Sequence, residues 1–406
     1  MGTAGRINRV REVLAAARLE HVRYAIRDIA VLAEELAREG KPTLPLNIGD
    51  PLLFDFQTPP HLIEAVTKAM RDGKNGYAPS LGTDEALEAV RAEAERNGIR
   101  DIQGVFITQG VSEAVEVGFA ALLNPGENVV TPCPEYPLYS LVLAQLGAQP
   151  NSYRLSEESG WEPDLEHLAS RIFTGTRAII VGNPNNPTGA VYSRRTLEAI
   201  AELARQHSLV IFADEIYSKL ALDGEPPVSI AALAPDVPVV TMNGLSKAYM
   251  VPGWRLGWAV VSGRGVELKA YVEGMQKLLR ARLSANHPEQ YAVRPALEGP
   301  QDHLQEVLAK LRRRRDLTMK WCHAIPRLSC VAPRGGFYAF PQLDIPGSDE
   351  DFVKQLLIEK QILVVHGSGF CQAPGAQHIR IVFLPDEATL ERAYTGIAAF
   401  MREHYS

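Results

Sequence analysis

The sequence predicts an α/β protein: a large domain with a mostly parallel sheet sandwiched by helices, joined to a smaller α+β domain. Three observations predict it. The chain has 406 residues, enough for two domains at about 100 to 200 residues each. From about residue 60 to 300, short β-branched runs alternate with segments of helical period, the pattern of strands joined by covering helices. Beyond 300, long charged helical segments mix with short strand runs.

Taken in order, residues 1–59 form an N-terminal segment with a helix over about 9 to 39, followed by LPLNIGDP. It has no sheet of its own, so it is expected to pack on the small domain and a partner subunit. In the large domain, 60–300, Pro60 opens a helix that Gly73 closes. Thr83 caps the next, which Gly98 closes, and Pro125-Gly126 ends a third. Strands are predicted at GVFIT (104–108), ENVVT (127–131), RAIIVG (177–182), LVIFA (209–213), PVVTM (238–242) and LGWAVV (256–261). Near-continuous apolar runs of this length suit strands buried on both faces. The small domain, 301–406, combines a helix over 302–323, the runs RLSCV, GGFYAF, ILVVH and HIRIVF, a helix near 351–360 and a last helix from Glu387.

Hydrophobic residues make up 46% and charged residues 22%, which excludes a disordered or fibrous chain. The 42 Lys plus Arg against 48 Asp plus Glu give a net charge of −6, with no basic excess for nucleic acid. The start MGTAGRINRV carries no signal-like apolar stretch. The apolar run 114–123 is broken by Glu116 and stops at Asn124-Pro125-Gly126, short of the roughly 20 residues that span a bilayer. A cytoplasmic protein without membrane contact is expected. Cys133, Cys322, Cys330 and Cys371 lie far apart with no C-x-x-C, which suits isolated reduced thiols. The ten histidines show no H-x3-H or H-E-x-x-H spacing, so no metal is expected.

Open α/β sheets bind ligands beyond the carboxyl ends of their strands, and four of these ends are unusual. RAIIVG runs into NPNNPTG (183–189), a turn rigidified by proline that aims the amides Asn185 and Asn186 above the sheet. LVIFA runs into Asp214-Glu215-Ile216-Tyr217, and a carboxylate after a buried strand is costly without a partner. Lys247 lies between a buried strand and Pro252-Gly253, poorly placed for solvation and so suited to act as an amine nucleophile. Arg255 follows as a fork for phosphate or carboxylate. After GVFIT, Gly110-Val111-Ser112 opens a helix whose amides favour an anion. Each feature alone has a plainer explanation: a rigid loop, a helix cap, a surface cation or an ordinary turn.

Together they meet the needs of pyridoxal 5'-phosphate: an amine for the aldehyde, an acid for the ring nitrogen, a phenol and an amide for the ring oxygen, and an anion cradle with an arginine. NPNNPTG, Asp214 to Tyr217 and SK-x6-GWR-x-G, in this order, resemble the fold type I pyridoxal-phosphate aminotransferases of class I along nearly the whole chain. YAIRD, LNIGDP, FDFQTP, MNGLSK, VHGSGF and VFLP look most like the alanine aminotransferases of the archaeal kind.

The resemblance implies roles by position. Lys247 would bind the aldehyde covalently, Asp214 would pair with the ring nitrogen, and Tyr217 and Asn186 would bond the ring oxygen. Arg255, Val111 and Ser112 would hold the phosphate, with Tyr77 reaching it from the other subunit of a homodimer. Tyr136 would stack on the ring. Arg380 would clamp the substrate carboxylate, helped by Gly49 and Asn186. Many relatives carry Ser where this chain has Gly244, and Ser246 would replace that hydroxyl. No second arginine for a distal carboxylate is evident.

The implied activity is a ping-pong exchange between L-alanine and 2-oxoglutarate, giving pyruvate and L-glutamate. Aspartate, aromatic or branched-chain donors are alternatives, as is a pyridoxal-phosphate lyase acting at Cβ. A DNA-binding regulator built on this fold would need a module that one helix and a loop before residue 50 leave no room for. HGSGF (366–370) lacks a dinucleotide loop's third glycine and reads as a tight turn. The run Arg312 to Arg315 reads as a solvated helix face.

Overall fold

The computed structural model describes residues 13–19, 25–224 and 226–405. Eight strands form one sheet: β1 (Ile102–Thr108), β2 (Asn128–Cys133), β3 (Ser152–Ser156), β4 (Glu162–Pro163), β5 (Thr176–Gly182), β6 (Val210–Asp214), β7 (Val239–Gly244) and β8 (Gly257–Ser262). Their order is β1-β8-β7-β6-β5-β2-β3-β4, and every pairing from β7 across to β3 is parallel. Alternate side chains serve opposite faces. Ile179, Ile211 and Val239 pack beneath helices Asp84–Arg96 and Arg194–Gln206. Ile180, Phe212 and Val240 pack beneath Gly110–Leu122 and Lys269–Ala281. Both faces are thus dry, as the unbroken apolar runs predict. The caps sit where expected: the Thr83 side chain accepts from the Ala86 amide at 3.4 Å, and Gly73 and Gly98 adopt left-handed φ of 80° and 85° just past their helices.

β8 runs antiparallel to both neighbours, β1 and β7. The connection from β7 holds only turns and the 3-10 segment Pro252–Trp254, so the chain doubles back, whereas a parallel return needs a covering crossover. Reversal brings the start of β8, and Arg255 before it, to the edge where the parallel strands end.

The small unit carries helices Asp302–Ala324, Asp349–Lys360 and Glu387–His404 around a three-stranded sheet of Tyr338–Ala339, Ile379–Val382 and Val365–His366. Leu44–Pro45 pairs in parallel with Ile362–Leu363, and the Val382 amide donates to the Leu46 carbonyl at 2.9 Å. The N-terminal segment therefore lies on the small unit and leads from it toward the large sheet. Its helix is shorter than expected, Ala25–Arg38. Residues 13–16 are irregular and Ala17–Leu19 is one 3-10 turn, while 9–12 and 20–24 lie outside the described residues. Val13 and Leu14 are 93% and 78% exposed, and a helix without an apolar surface to pack on is marginal in water.

The arginine run is also more than a solvated face. Arg314 is 1% exposed and its guanidinium meets both Asp55 carboxylate oxygens, at 2.7 and 2.8 Å, and the Leu384 carbonyl at 2.5 Å. Arg315 pairs with Asp223. A buried guanidinium persists only when paired, and here it ties the long helix to the segment that follows the N-terminal strand. Although burial alone would raise it, the Asp55 carboxyl is held below its ordinary range by Arg314 and Lys310. No helix among the described residues is long and apolar enough to cross a membrane.

Candidate active site

A cavity of about 670 Å³ opens where the parallel strands end, between the sheet and the small unit, a size ordinary for a small-molecule site. Gly49, Val111, Ser112, Tyr136, Asn186, Asp214, Tyr217, Ser246, Lys247, Arg255 and Arg380 all line it. Of the residues given a cofactor or substrate role from sequence only Tyr77 does not; it is 80% exposed.

Asp214 closes β6 and is 7% exposed. One carboxylate oxygen accepts from the Tyr139 hydroxyl at 2.8 Å, the other from the Ile216 amide at 3.2 Å. Burial pushes this carboxyl above its ordinary value, opposed by the Tyr139 and Ile216 hydrogen bonds and the Lys247 charge. It is a buried acid with unspent appetite for a cation. Its neighbour Glu215 points to the opposite face, into a separate cavity of about 630 Å³, where burial pushes it up to about 7.

Lys247 follows β7 and its ammonium donates to the Gly49 carbonyl at 2.8 Å, 5.6 Å from the Phe337 ring centre. Part of the side chain still faces the cavity. Desolvation, with Arg380 and Arg255 adding to it against Asp50 and Asp214, lowers its pKa to about 8. A lysine so placed is a competent amine nucleophile near neutral pH. Gly49 must be glycine, since a Cβ there would run into the Tyr338 hydroxyl.

Arg255 adopts left-handed backbone, φ 49°. Its guanidinium is aimed by the Pro252 and Gln109 carbonyls at 3.1 and 3.3 Å, beside the first turn of Gly110–Leu122. Gly110, at φ 76°, leaves room for it, since a Cβ there would lie 2.5 Å from the Arg255 Nη2. Gly110→Ala is therefore expected to cost about 1 to 2 kcal/mol from left-handed backbone alone. It should also displace the arginine; urea unfolding and anion affinity measure the two effects.

Arg380 is 1% exposed on the strand Ile379–Val382. Its guanidinium donates to the Asn47 carbonyl and, at 3.2 Å, to the Asn186 side-chain oxygen. Its central carbon sits over the Tyr338 and Phe370 rings, 4.6 and 4.7 Å from their centres. This presents a fixed cation to an anion entering the cavity. The Tyr217 hydroxyl meets that of Tyr338 at 2.9 Å.

One sequence expectation changes. Asn185 is buried within its own loop, its side-chain oxygen accepting from the Thr188 hydroxyl at 2.8 Å, and only Asn186 reaches the cavity. Gly244 does not line this cavity, and a Cβ there would lie 2.7 Å from the Leu256 carbonyl oxygen, so this backbone has no room for serine. HGSGF forms the 3-10 turn Gly367–Phe370, which brings Phe370 against Arg380. Sequence reasoning missed Tyr139, Tyr338 and Asp50. Tyr139 was legible in part, three residues beyond Tyr136 and so on the same side of a helical turn.

Lys247, Asp214 and Arg255, with the amides of the 110–112 turn, could hold pyridoxal phosphate: amine to aldehyde, buried acid to ring nitrogen, cation and helix N-terminus to phosphate. Among the described residues one group is close enough to hold a metal, Glu359, Glu403 and His404. It is exposed and already spent on Lys360–Glu403 and His404–Glu359 pairs.

The chain matches the family described as aminotransferase class I and II over residues 41–397. It is 40% identical over 396 residues to the glutamate-pyruvate aminotransferase AlaA of Haemophilus influenzae, covering 95% of this chain and 98% of that protein. It is 39% identical over 403 residues to the alanine aminotransferase of Mycobacterium bovis, covering 97% and 94%. The solved alanine aminotransferase from Pyrococcus furiosus superposes with a TM-score of 0.92 at 41% identity, covering 96% of this chain and all of that one.

Proposed function

The chain belongs to the class I and II aminotransferases, and on that premise we propose that it moves an amino group between L-alanine and 2-oxoglutarate on pyridoxal phosphate. One observation carries the chemistry: a lysine of lowered pKa, a buried acid and a buried arginine face one cavity. The cavity's cations are Lys247, Arg255 and Arg380. With the first two assigned to aldehyde and phosphate, Arg380 takes the α-carboxylate, leaving no cation for a charged side chain among the described lining residues. The methyl side chain of alanine needs none, and the names of the relatives, glutamate-pyruvate and alanine aminotransferase, support alanine and glutamate as the amino donors.

When bound, the cofactor supplies a carrier for the amino group and a cationic ring that takes up the electron pair freed at the substrate Cα. The protein does the rest. Asp214, steadied by Tyr139, keeps the ring nitrogen protonated; Tyr217 and Asn186 hold the ring oxygen; Tyr136 covers the ring face. Arg255, Val111, Ser112 and Ser246 anchor the phosphate. Arg380 and Asn186 orient the carboxylate so that the Lys247 amine can take the Cα proton. Tyr77, exposed in one chain, serves the phosphate of a partner's site in a cytoplasmic homodimer.

A panel of alanine, glutamate, aspartate, valine and tyrosine scored by kcat/KM tests the substrate. Alanine and glutamate should lead; aspartate or tyrosine ahead of both overturns the assignment. Elimination from cysteine-type substrates without pyruvate from alanine would favour the lyase alternative. Arg380→Ala should mainly raise KM for alanine, by about 10- to 100-fold for a charge-assisted contact of about 1.5 to 3 kcal/mol. An unchanged KM removes Arg380 from the carboxylate site.

A further inference from the structure

Two thiols that lie 238 positions apart in sequence meet beside the cavity. β2 ends at Cys133 and runs on into Glu135 and Tyr136, which lines the cavity. The turn Gly367–Phe370, which packs Phe370 on Arg380, is followed by Cys371 in left-handed backbone, φ 57°. The Glu135 amide donates to the Phe370 carbonyl at 2.8 Å, so the two chain segments are tied between the cysteines. The Cys133 thiol donates to the Cys371 carbonyl, so the two cysteines stand side by side. Cys133 is half-buried and Cys371 exposed, so an oxidant can reach the pair. The spacing in sequence suggests isolated thiols; the fold makes them neighbours.

We propose that Cys133 and Cys371 form a peroxide-responsive dithiol that closes into a disulfide between the large sheet and the small unit and slows turnover. Hydrogen bonding with Cys371 lowers the Cys133 pKa and favours its thiolate, while burial and the nearby Glu135 oppose. Cys371 is raised in consequence. Cys133 is thus the attacking sulfur, since the thiolate is the nucleophile. It attacks one peroxide oxygen, the O–O bond breaks, and hydroxide leaves to be protonated as water, giving Cys133 sulfenic acid. The Cys371 sulfur then attacks the Cys133 sulfur. The S–S bond forms, the S–O bond breaks, and hydroxide departs with the Cys371 proton as a second water. Two thiols lose two electrons and one peroxide gains them. A dithiol reductant reverses the bond by exchange.

The bridge pins the Phe370 turn, and with it the Arg380 wall, against the segment that carries Tyr136. Substrate entry and product release then lose the freedom that sets many turnover rates. Cys322 and Cys330 are a second juxtaposed pair, but Cys322 is fully buried and the Cys330 thiol is pushed well up by Cys322 and by burial, so that pair resists oxidation and serves as an internal control.

The test treats the pyridoxal-phosphate-saturated protein with hydrogen peroxide, alkylates it with N-ethylmaleimide, and maps peptides without reduction. The Cys133 and Cys371 peptides are expected as one linked species. Alanine turnover, which rests on the activity proposed above, should fall about tenfold or more and return with dithiothreitol. Cys371→Ser should keep the untreated turnover and show neither link nor reversible loss; if it folds poorly, Cys371→Ala takes its place. Linkage confined to Cys322 and Cys330, separate sulfinic acids at Cys133 and Cys371, unmodified thiols, or a link that leaves turnover unchanged would each overturn the proposal. Peptide mapping does not depend on which amino acid is the donor, so failure of the thiol switch and failure of the alanine assignment are distinguishable.

Discussion

Lys247→Ala is expected to lose at least about 10⁴-fold in kcat, because one side chain is both the covalent anchor for the aldehyde and the base for the Cα proton. The same substitution should abolish the visible absorption of the saturated protein and the borohydride-trapped adduct at this position. Retention of colour, or an adduct mapped to another lysine, would show that the anchor lies elsewhere. The pH dependence of cofactor uptake by the native chain gives a second check. The neutral amine is the reactive form, and desolvation lowers the Lys247 pKa to about 8. Uptake should therefore rise as pH passes from about 7 to 9 and level off above, whereas an unperturbed lysine, near 10.4, would still be rising. The carbonyl of Gly49 holds the amine at 2.8 Å, so this titration reports a placed group rather than a mobile surface one.

Asp214→Asn should lower kcat by roughly 10² to 10⁴, the rate equivalent of losing a buried charge pair of about 3 to 5 kcal/mol. The amide keeps the shape, and Tyr139 can still donate to its oxygen, so the loss isolates the charge. The protein without cofactor should not be destabilised, because burial already penalises this carboxylate, and a neutral isostere removes that cost. Steady-state kinetics and thermal unfolding without cofactor measure the two effects. A kcat within tenfold of the parent would mean that Asp214 does not keep the ring nitrogen cationic.

Much of the scaffold was legible because its causes are local. Pro60, Thr83, Gly73 and Gly98 end or cap helices through contacts a few residues away, and the runs at 177–182 and 209–213 must be buried on both faces whatever surrounds them. The residues at strand ends stood out for the same reason: Asp214 and Lys247 are chemically out of place next to apolar runs. The course of β8 was not legible, because the apolar run at 256–261 reads the same in either direction. Its reversal brings Arg255 to the carboxyl edge of the sheet. Nor could sequence separate Asn185 from Asn186, adjacent amides of which one is consumed inside its loop and the other meets Arg380.

By itself the sequence determined the α/β class, six of the eight strands of the large sheet and eleven of the residues that line the cavity, the chemically reactive ones among them. Only the tertiary structure decided which groups touch: Tyr139 on Asp214, Arg380 between Asn47 and Asn186, Cys133 beside Cys371. The physical reason is range. Propensity, capping and burial pattern act over a few residues, whereas these contacts join segments up to 333 positions apart, set by strand pairing and close packing that no local stretch encodes.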